Sequence, residues 1–487
     1  MAKRVAVIDI GSNSVRMVIY ERTSRFAFHL LYESKSKVRL SQNAYQNNGN
    51  LQPEAIDRTF NALADFVNII SSFKARKTLC VATSALRDAP NKYDFIKLVR
   101  DKLKLNIKTI DGEREAYLGG IACANLLPVL NNSLTIDIGG GSTEFAYINK
   151  KNVTDTISID LGTVRLKELF FDKNDVDGAK KYIDKKLEVL NELKASKLIG
   201  IGGTFRAITT AIMKQEKFPL RKLHAYECKS DEFKLFLKAV LNANEDELCN
   251  LNIKENRFDI IKPGSLILQR VIEKLSINEL IASGVGVREG VFLSDLLRTS
   301  KHKLPQNYNT SVRHILDAHV SDKEYSNNLN KLSKKLFDIL QNKFSLDAIY
   351  RGDLAIAAKL YPSGGSIHQF AQNRHSYYLI QSSLEYGFTQ KQMVLISTLV
   401  RYAKRKLPST AHIEKYQVLL PDTNTLNTLS YILTLSIYLL NHRPRNIDFE
   451  AELIDNKLII NSKNKMYLAK EDIKNLEDLK DLEIVFN

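Results

Sequence analysis

Apolar and polar positions alternate along the chain in a pattern that changes twice. Arg4–Ile10 (RVAVIDI) is an apolar run closing on Asp-Ile-Gly, and Val15–Tyr20 (VRMVIY) is apolar and β-branched. Together they predict strand, Gly/Ser turn, strand. Between Pro53 and Phe73, the apolar residues Ile56, Phe60, Leu63, Phe66, Val67 and Ile70 fall at helical spacing. Thr78–Thr83 (TLCVAT) reads as a buried strand, and Asp94–Leu105 as a basic amphipathic helix. Such alternation predicts an α/β domain.

The opening pattern then returns. Leu134–Ile148 (LTIDIGGGSTEFAYI) matches VAVIDIGSNSVRMVIY at Ile-Asp-Ile-Gly and again at Ser14 and Ser142. The separation of Asp9 from Asp137 is too long for a solenoid repeat and suits a duplicated α/β domain. Two further Gly-rich turns, Lys197–Ala207 (KLIGIGGTFRA) and Leu280–Gly290 (LIASGVGVREG), follow apolar strands and lead into helical patterns. Arg298–Ser311 is basic, contains Pro and has no apolar period, which predicts a linker. Beyond it the pattern is helical, as at Leu332–Leu340 and Tyr377–Leu384. A helix near Thr425–Leu440 then precedes strands at Ile447–Ile454 and Lys457–Ile460, a further helix, and a last strand at Leu482–Phe486. The expected division is therefore two α/β domains flanking a cleft (1–125 and 126–300), a helical domain (312–415) and a small α+β segment (416–487). The last helix of the second domain is expected to pack back on the first.

Charge narrows the partners. Lys and Arg outnumber Asp and Glu by 71 to 55 in 487 residues, a net charge of +16 with His neutral. That excess favours nucleic acid, nucleotides, inorganic polyphosphate or acidic lipid, or simply aids solubility. Cys80, Cys123, Cys228 and Cys249 lie far apart and form no C-x-x-C pair. They point away from a zinc ribbon or disulfide framework, fit a reducing compartment and read as small buried hydrophobes. The first apolar run is cut at Asp9, too short for a signal-peptide core, and Leu429–Leu440 falls short of a membrane span. A soluble, cytoplasmic protein is expected.

Candidate chemistry lies in the repeated turns. Glycines there can adopt φ > 0, so several backbone N–H groups can converge on one anion. Ser12, Ser14, Ser142 and Thr143 add hydroxyls, while Asp9 and Asp137 at the strand ends are placed to hold hydrated Mg²⁺ against phosphate oxygens. One such turn alone would read as an ordinary hairpin; the duplicate with its aspartate retained reads as half of a phosphate grip. Neither copy fits the P-loop pattern, and Gly284, Gly286 and Gly290 lack the spacing of a dinucleotide fingerprint. Gly202, Gly203 and Thr204 open a helix, a good seat for phosphate or ribose.

Paired hairpin loops of this kind mark the superfamily of actin, sugar kinases and DnaK-type chaperones. Within it the chain resembles the Ppx/GppA phosphatases, a family of exopolyphosphatases and guanosine pentaphosphate phosphohydrolases. The resemblance is carried by the two loops together with ATSALRDAP (82–90), DGEREAYLGG (111–120), GIGGT (200–204) and SGVGVREG (283–290), in family order across residues 4–300. It implies two ribonuclease-H-like (actin-like ATPase) domains followed by an HD-like helical domain. It also implies Mg²⁺ as cofactor, polyphosphate or guanosine penta/tetraphosphate as partner, and a homodimer, with no membrane and no sequence-specific nucleic acid. A superfamily kinase and a non-enzymatic polyphosphate or alarmone sensor are the competing readings.

Residue by residue, Glu115 looks like the family's catalytic base, which agrees with the need to deprotonate an attacking water. Glu113, two residues away on a helix, would face elsewhere. Asp137 and Glu144 resemble the metal-binding carboxylates, with Asp9 a weaker candidate. Arg16, Arg87 and Arg257 look like phosphate or substrate contacts, alongside the loop residues Ser12, Asn13, Ser14, Gly139, Gly140, Gly141, Ser142 and Thr143. Arg288 reads as an internal ion-pair partner, and His224 as structural, with Ala225 standing where the family has Gly. In the helical domain, Tyr361-Pro362 replaces the His-Asp pair of HD-type phosphohydrolases, and His375 alone cannot build a metal site. That domain therefore reads as non-catalytic, lengthening a basic channel or forming a dimer, with Arg401, Lys404, Arg405 and Lys406 as a basic run.

Overall fold

A computed structural model describes residues 3–404, 407–476, 479 and 482–487. The basic run Arg401–Lys406 is thus described only through Lys404; Arg405 and Lys406 lie outside the described residues. The chain forms two compact units, Met1–Tyr308 and Asn309–Asn487. No helix among the described residues is long and apolar enough to cross a membrane.

In the first unit, β1 (Arg4–Ile10), β2 (Val15–Arg22) and β3 (Phe28–Ser36) form an antiparallel meander. The helix α1 (Pro53–Ser72), with Pro at its first position, leads to β4 (Lys77–Ala82), the short α2 (Ser84–Arg87) and α3 (Lys92–Leu103). Then come β5 (Ile107–Thr109) and α4 (Gly112–Leu126), whose N-cap Asp111 accepts a hydrogen bond from the Arg114 N–H at 2.7 Å. The sheet order is β3-β2-β1-β4-β5. Only Cys80–Ala82 of β4 are buried, because β5 pairs with that half of the strand alone.

The order repeats in the second half. β6 (Leu130–Ile138), β7 (Thr143–Lys150) and β8 (Asn152–Ile159) form the meander, followed by α5 (Thr163–Leu169) and α6 (Val176–Lys186). Then follow β9 (Lys197–Ile201), α7 (Gly202–Gln215), β10 (Tyr226–Lys229), α8 (Ser230–Asn242), α9 (Glu245–Asn250), α10 (Phe258–Lys274), β11 (Glu279–Ala282) and α11 (Val287–Leu296). The sheet runs β10-β11-β9-β6-β7-β8, so β8-β7-β6-β9-β11 reproduces the first sheet with β10 added at one edge. Register aligns the copies too: Asp9 pairs across the hairpin with Arg16, and Asp137 with Glu144.

The two halves exchange a helix. α11 packs back on the first sheet, where Phe292 meets the rings of Tyr20 and Phe28 at 4.5 and 4.7 Å. α4 packs on the second sheet: a Cβ at Gly120 would come within 2.9 Å of Ala146 and Val153. The two exchanged helices also touch each other, and a Cβ at Gly290 of α11 would overlap the Leu118 carbonyl of α4. The segment after α11 follows them. Asn125 of α4 donates to the His302 carbonyl and accepts from the Leu304 N–H, both at 2.9 Å. The stretch expected as a linker is therefore tied to the first unit up to Leu304.

The second unit has one core. Helices α12 (Thr310–His319), α13 (Lys323–Leu340), α14 (Tyr350–Leu360), α15 (Gln372–Ser383), α16 (Gln390–Tyr402) and α17 (Thr410–Lys415) precede the buried α18 (Thr423–Leu439). β12 (Phe449–Ile454) and β13 (Lys457–Ser462) form a hairpin, and after α19 (Tyr467–Ile473) β14 (Glu483–Phe486) joins parallel to β13. Leu458, Ile460 and Leu482 share a cluster with Leu332, Leu399 and Leu429, so the terminal strands and the helices bury one another. Cys80, Cys123 and Cys228 are buried as expected. Cys249 is exposed, since the short α9 turns only Leu248 inward.

Two glycines give opposite expectations. Gly290→Ala should destabilise the first unit by about 3 kcal/mol, because the new methyl has no space beside α4. Gly352 lies in α14 with nothing within 4 Å of an added Cβ. Gly352→Ala should stabilise the second unit by about 0.5–1 kcal/mol through helix propensity. Denaturant midpoints of both variants check the pair.

Candidate active site

The C-terminal ends of β1, β6 and β9 meet at a cavity of about 160 Å³ within the first unit. The two repeated turns close it with the same hydrogen bond: Gly11 N–H donates to the Ser14 carbonyl at 3.2 Å, and Gly139 N–H to that of Ser142 at 2.9 Å. The turns touch, for a Cβ at Gly140 would lie 2.6 Å from that of Ser12. At the start of α7, Gly202 has φ of 75° and lies so close to Asp137 that a Cβ would overlap its carboxylate. Gly202 thus satisfies both the left-handed backbone and the close approach.

The lining combines carboxylates with cations. Asp9, Asp137 and Glu115 face it together with Arg16, Lys35, Arg206, Arg257 and Arg288. Ser12, Asn13, Ser14, Gly139, Gly140, Ser142, Gly202, Gly203 and Thr204 contribute to the same wall. Of the residues singled out in the sequence, Arg87, Gly141, Thr143 and Glu144 stand outside it. Arg87 is held by Asp88 at 2.9 Å and reaches to 3.6 Å from the Glu115 carboxylate. Glu144 is buried behind the lining, where its carboxylate accepts from the Ser158 hydroxyl at 3.1 Å. The Thr143 hydroxyl is turned to the Leu161 carbonyl, and the Gly141 carbonyl accepts from Arg165 at 2.9 Å.

Glu115 is the distinctive group. Its side chain is 11% exposed, and Oε2 makes no hydrogen bond. Burial raises its pKa well above the ordinary carboxylate range, reinforced by Glu144, Asp137 and Asp9, with Arg87 opposing. Burial likewise pushes Asp137 up to about 6, against the pull of Arg206. Asp9 and Glu144 are raised for the same first reason. Glu113 is exposed, as its place on the helix implies.

Arg288 has two roles in the structure. It pairs with Glu33 at 2.5 Å, as an internal ion pair requires, and it also lines the cavity. Burial works to lower its pKa, but Glu289, Tyr20 and Glu33 hold it above the ordinary value. Lys35 and Arg206 were not singled out by motif. Both lie inside patterned stretches, KSKVR and GGTFRA, yet a basic residue there carries no sequence signal that it lines a cavity. His224 is buried, with the Gly284 N–H donating to Nδ1 at 3.1 Å and Nε2 facing the Leu126 carbonyl at 3.0 Å. Neighbouring Ala225 has φ of 60°, a left-handed conformation that favours Gly.

Among the described residues, no group of three or more His, Cys, Asp or Glu side chains is arranged to hold a metal ion unaided. This includes the second unit, where the buried Tyr361 spends its carbonyl on the Ser376 hydroxyl at 2.6 Å.

Comparison with known proteins bears on the family and the fold. A curated relative, the bifunctional 3-dehydroquinate synthase/phosphatase of Fusobacterium nucleatum, is 33% identical over 300 residues, 57% of this chain. The chain spans only 44% of that relative's length. The crystal structure of the Aquifex aeolicus Ppx/GppA family member aligns with a TM-score of 0.54 at 27% identity, covering 63% of this chain and all (100%) of that one. An exopolyphosphatase from Cytophaga hutchinsonii aligns with a TM-score of 0.56 at 26% identity, covering 60% of this chain and 97% of its own. Residues 4–299 match the Ppx/GppA phosphatase family and residues 308–483 match its domain III. The chain, with its two actin-like lobes and helical third domain, belongs to the Ppx/GppA phosphatase family.

Proposed function

We propose that the chain is a phosphohydrolase that releases the terminal phosphate from inorganic polyphosphate or guanosine pentaphosphate. The observation that carries this reading is the Glu115 carboxylate, buried, without a hydrogen bond at Oε2, and facing a cavity lined by five cations. Family membership and the likeness to a protein described as an exopolyphosphatase support the same substrate chemistry.

The turns and the N-terminus of α7 would receive the terminal phosphoryl group on backbone N–H groups and the Ser12, Ser14 and Ser142 hydroxyls. Arg16, Arg206, Arg257 and Arg288 would neutralise its equatorial oxygens as charge redistributes. Glu115 would orient a water and take its proton at Oε2; the surroundings that raise its proton affinity make it the stronger base. Arg87, close to that carboxylate, favours its ionised form before the step. The leaving phosphate chain would depart with its charge held by the same guanidinium groups.

Asp137 and Asp9 face the cavity with Glu144 behind them; these carboxylates do not form a three-ligand site by themselves and would hold Mg²⁺ together with substrate oxygens. Bound there with substrate oxygens and water completing its shell, Mg²⁺ would supply positive charge to the phosphoryl oxygens.

Two experiments test the reading. Glu115→Gln keeps the shape but cannot accept the proton. Phosphate release from tripolyphosphate and from guanosine pentaphosphate should fall about 10²-fold or more while substrate still binds. Near-normal turnover would remove Glu115 from the mechanism. Asp137→Asn and Glu144→Gln should each raise the Mg²⁺ concentration needed for half-maximal release, as expected when a hard oxygen ligand is weakened. A wild-type Mg²⁺ response in both would place the ion elsewhere.

A further inference from the structure

Two of the five cations in the cavity are already engaged. Arg206 donates from Nε to the Ser283 carbonyl at 2.8 Å and from Nη2 to the Val285 carbonyl at 2.9 Å. Arg288 is paired with Glu33. Arg16, Arg257 and Lys35 differ. Among the described residues their side chains make no hydrogen bond and no salt bridge, although all three line the same cavity. The nearest acidic influence on Lys35, Glu33, is held by Arg288.

Register fixes where that ammonium is rooted. Asp9 pairs with Arg16, and Arg16 pairs with Lys35, so the three form a row across β1, β2 and β3. Adjacent strands are about 4.8 Å apart, which roots Lys35 roughly 10 Å from Asp9, farther along the sheet than the turn. From the opposite lobe comes Arg257. A Cβ at Gly203 would lie 2.5 Å from its Nη2, so the guanidinium rests on the start of α7. Lys35 is therefore an exposed cation at the cavity's edge, close to Arg16, Arg257 and Lys37; partial loss of solvation first, then these neighbours, push its pKa down to about 8. An uncompensated cluster of this kind is relieved by an anion.

We propose that Lys35, facing Arg257, is a specificity-determining residue that binds the phosphate adjoining the one cleaved, giving preference to condensed phosphates over single phosphate groups. The inference rests on the phosphohydrolase reading of the site. A lone phosphate fills the turns without reaching Lys35, whereas a chain of linked phosphates extends along the row from Asp9 to Lys35.

The test compares wild type, Lys35→Met and Lys35→Arg for the KM of tripolyphosphate and for inhibition by orthophosphate. Loss of a charged hydrogen bond should raise the tripolyphosphate KM about tenfold or more in Lys35→Met. The orthophosphate inhibition constant and kcat should stay within about twofold, and Lys35→Arg should recover most of the loss. An unchanged tripolyphosphate KM, or an equal weakening of both ions, overturns the assignment. If wild type releases no phosphate, the phosphohydrolase reading falls. Calorimetric binding of the same two ions to the same variants then still decides for or against Lys35.

Discussion

The whole first unit depends on how closely α4 can approach its neighbours. Gly120 lets it settle against Ala146 and Val153 of the second sheet, and Gly290 lets α11 reach its backbone at Leu118. Were either approach lengthened by one methyl group, the helix that carries Glu115 would shift relative to the turns of both sheets. Because α4 comes from the first half of the chain and packs on the second sheet, while α11 does the reverse, neither half completes its layers alone. The exchange also explains why the cavity walls are rigidly mutual: Tyr20 of β2 donates to Glu289 of α11 at 2.5 Å, and Glu33 of β3 pairs with Arg288.

Burial of so many charges in about 160 Å³ sets the electrostatics. Asp9, Asp137, Glu144 and Glu115 each lose solvation and repel one another, and all four are pushed toward protonation. Arg16 and Arg206 are pulled the opposite way, first by burial and then by neighbouring guanidinium groups. Neither set would be stable without the other. The site is thus a balance of opposed, poorly solvated charges.

The duplicated strand-turn-strand units were legible because Ile-Asp-Ile-Gly recurs with the same flanking apolar pattern, and both sheets confirm that order. The exchange of α4 and α11 was only half legible. Periodicity shows that a helix has an apolar face but not which sheet that face meets. α11 meets the first sheet at Phe292, whereas the crossing of α4 carried no sequence mark. At the site, many of the motif residues line the cavity while Arg87, Gly141, Thr143 and Glu144 stand outside it, and Lys35 and Arg206 were missed because a basic residue outside a recognised motif reads by default as a surface charge. The terminal strands were placed within two residues, yet their union with the helical core was not visible. Leu458 and Leu482 gain their burial from α13 and α18, distant in sequence.

The paired registers have one more consequence. Asp9–Arg16 and Asp137–Glu144 occupy the same slots in two copies of one hairpin, yet the second slot holds a cation in one copy and an anion in the other. Duplication supplies symmetry, and this single difference of sign breaks it. At this slot one turn sets a guanidinium across from its aspartate and the other a second carboxylate, so the two turns present unlike surroundings from like backbones. The asymmetry of the two turns is therefore written in a pair of equivalent backbone positions, by what distinguishes the copies and not by what they share.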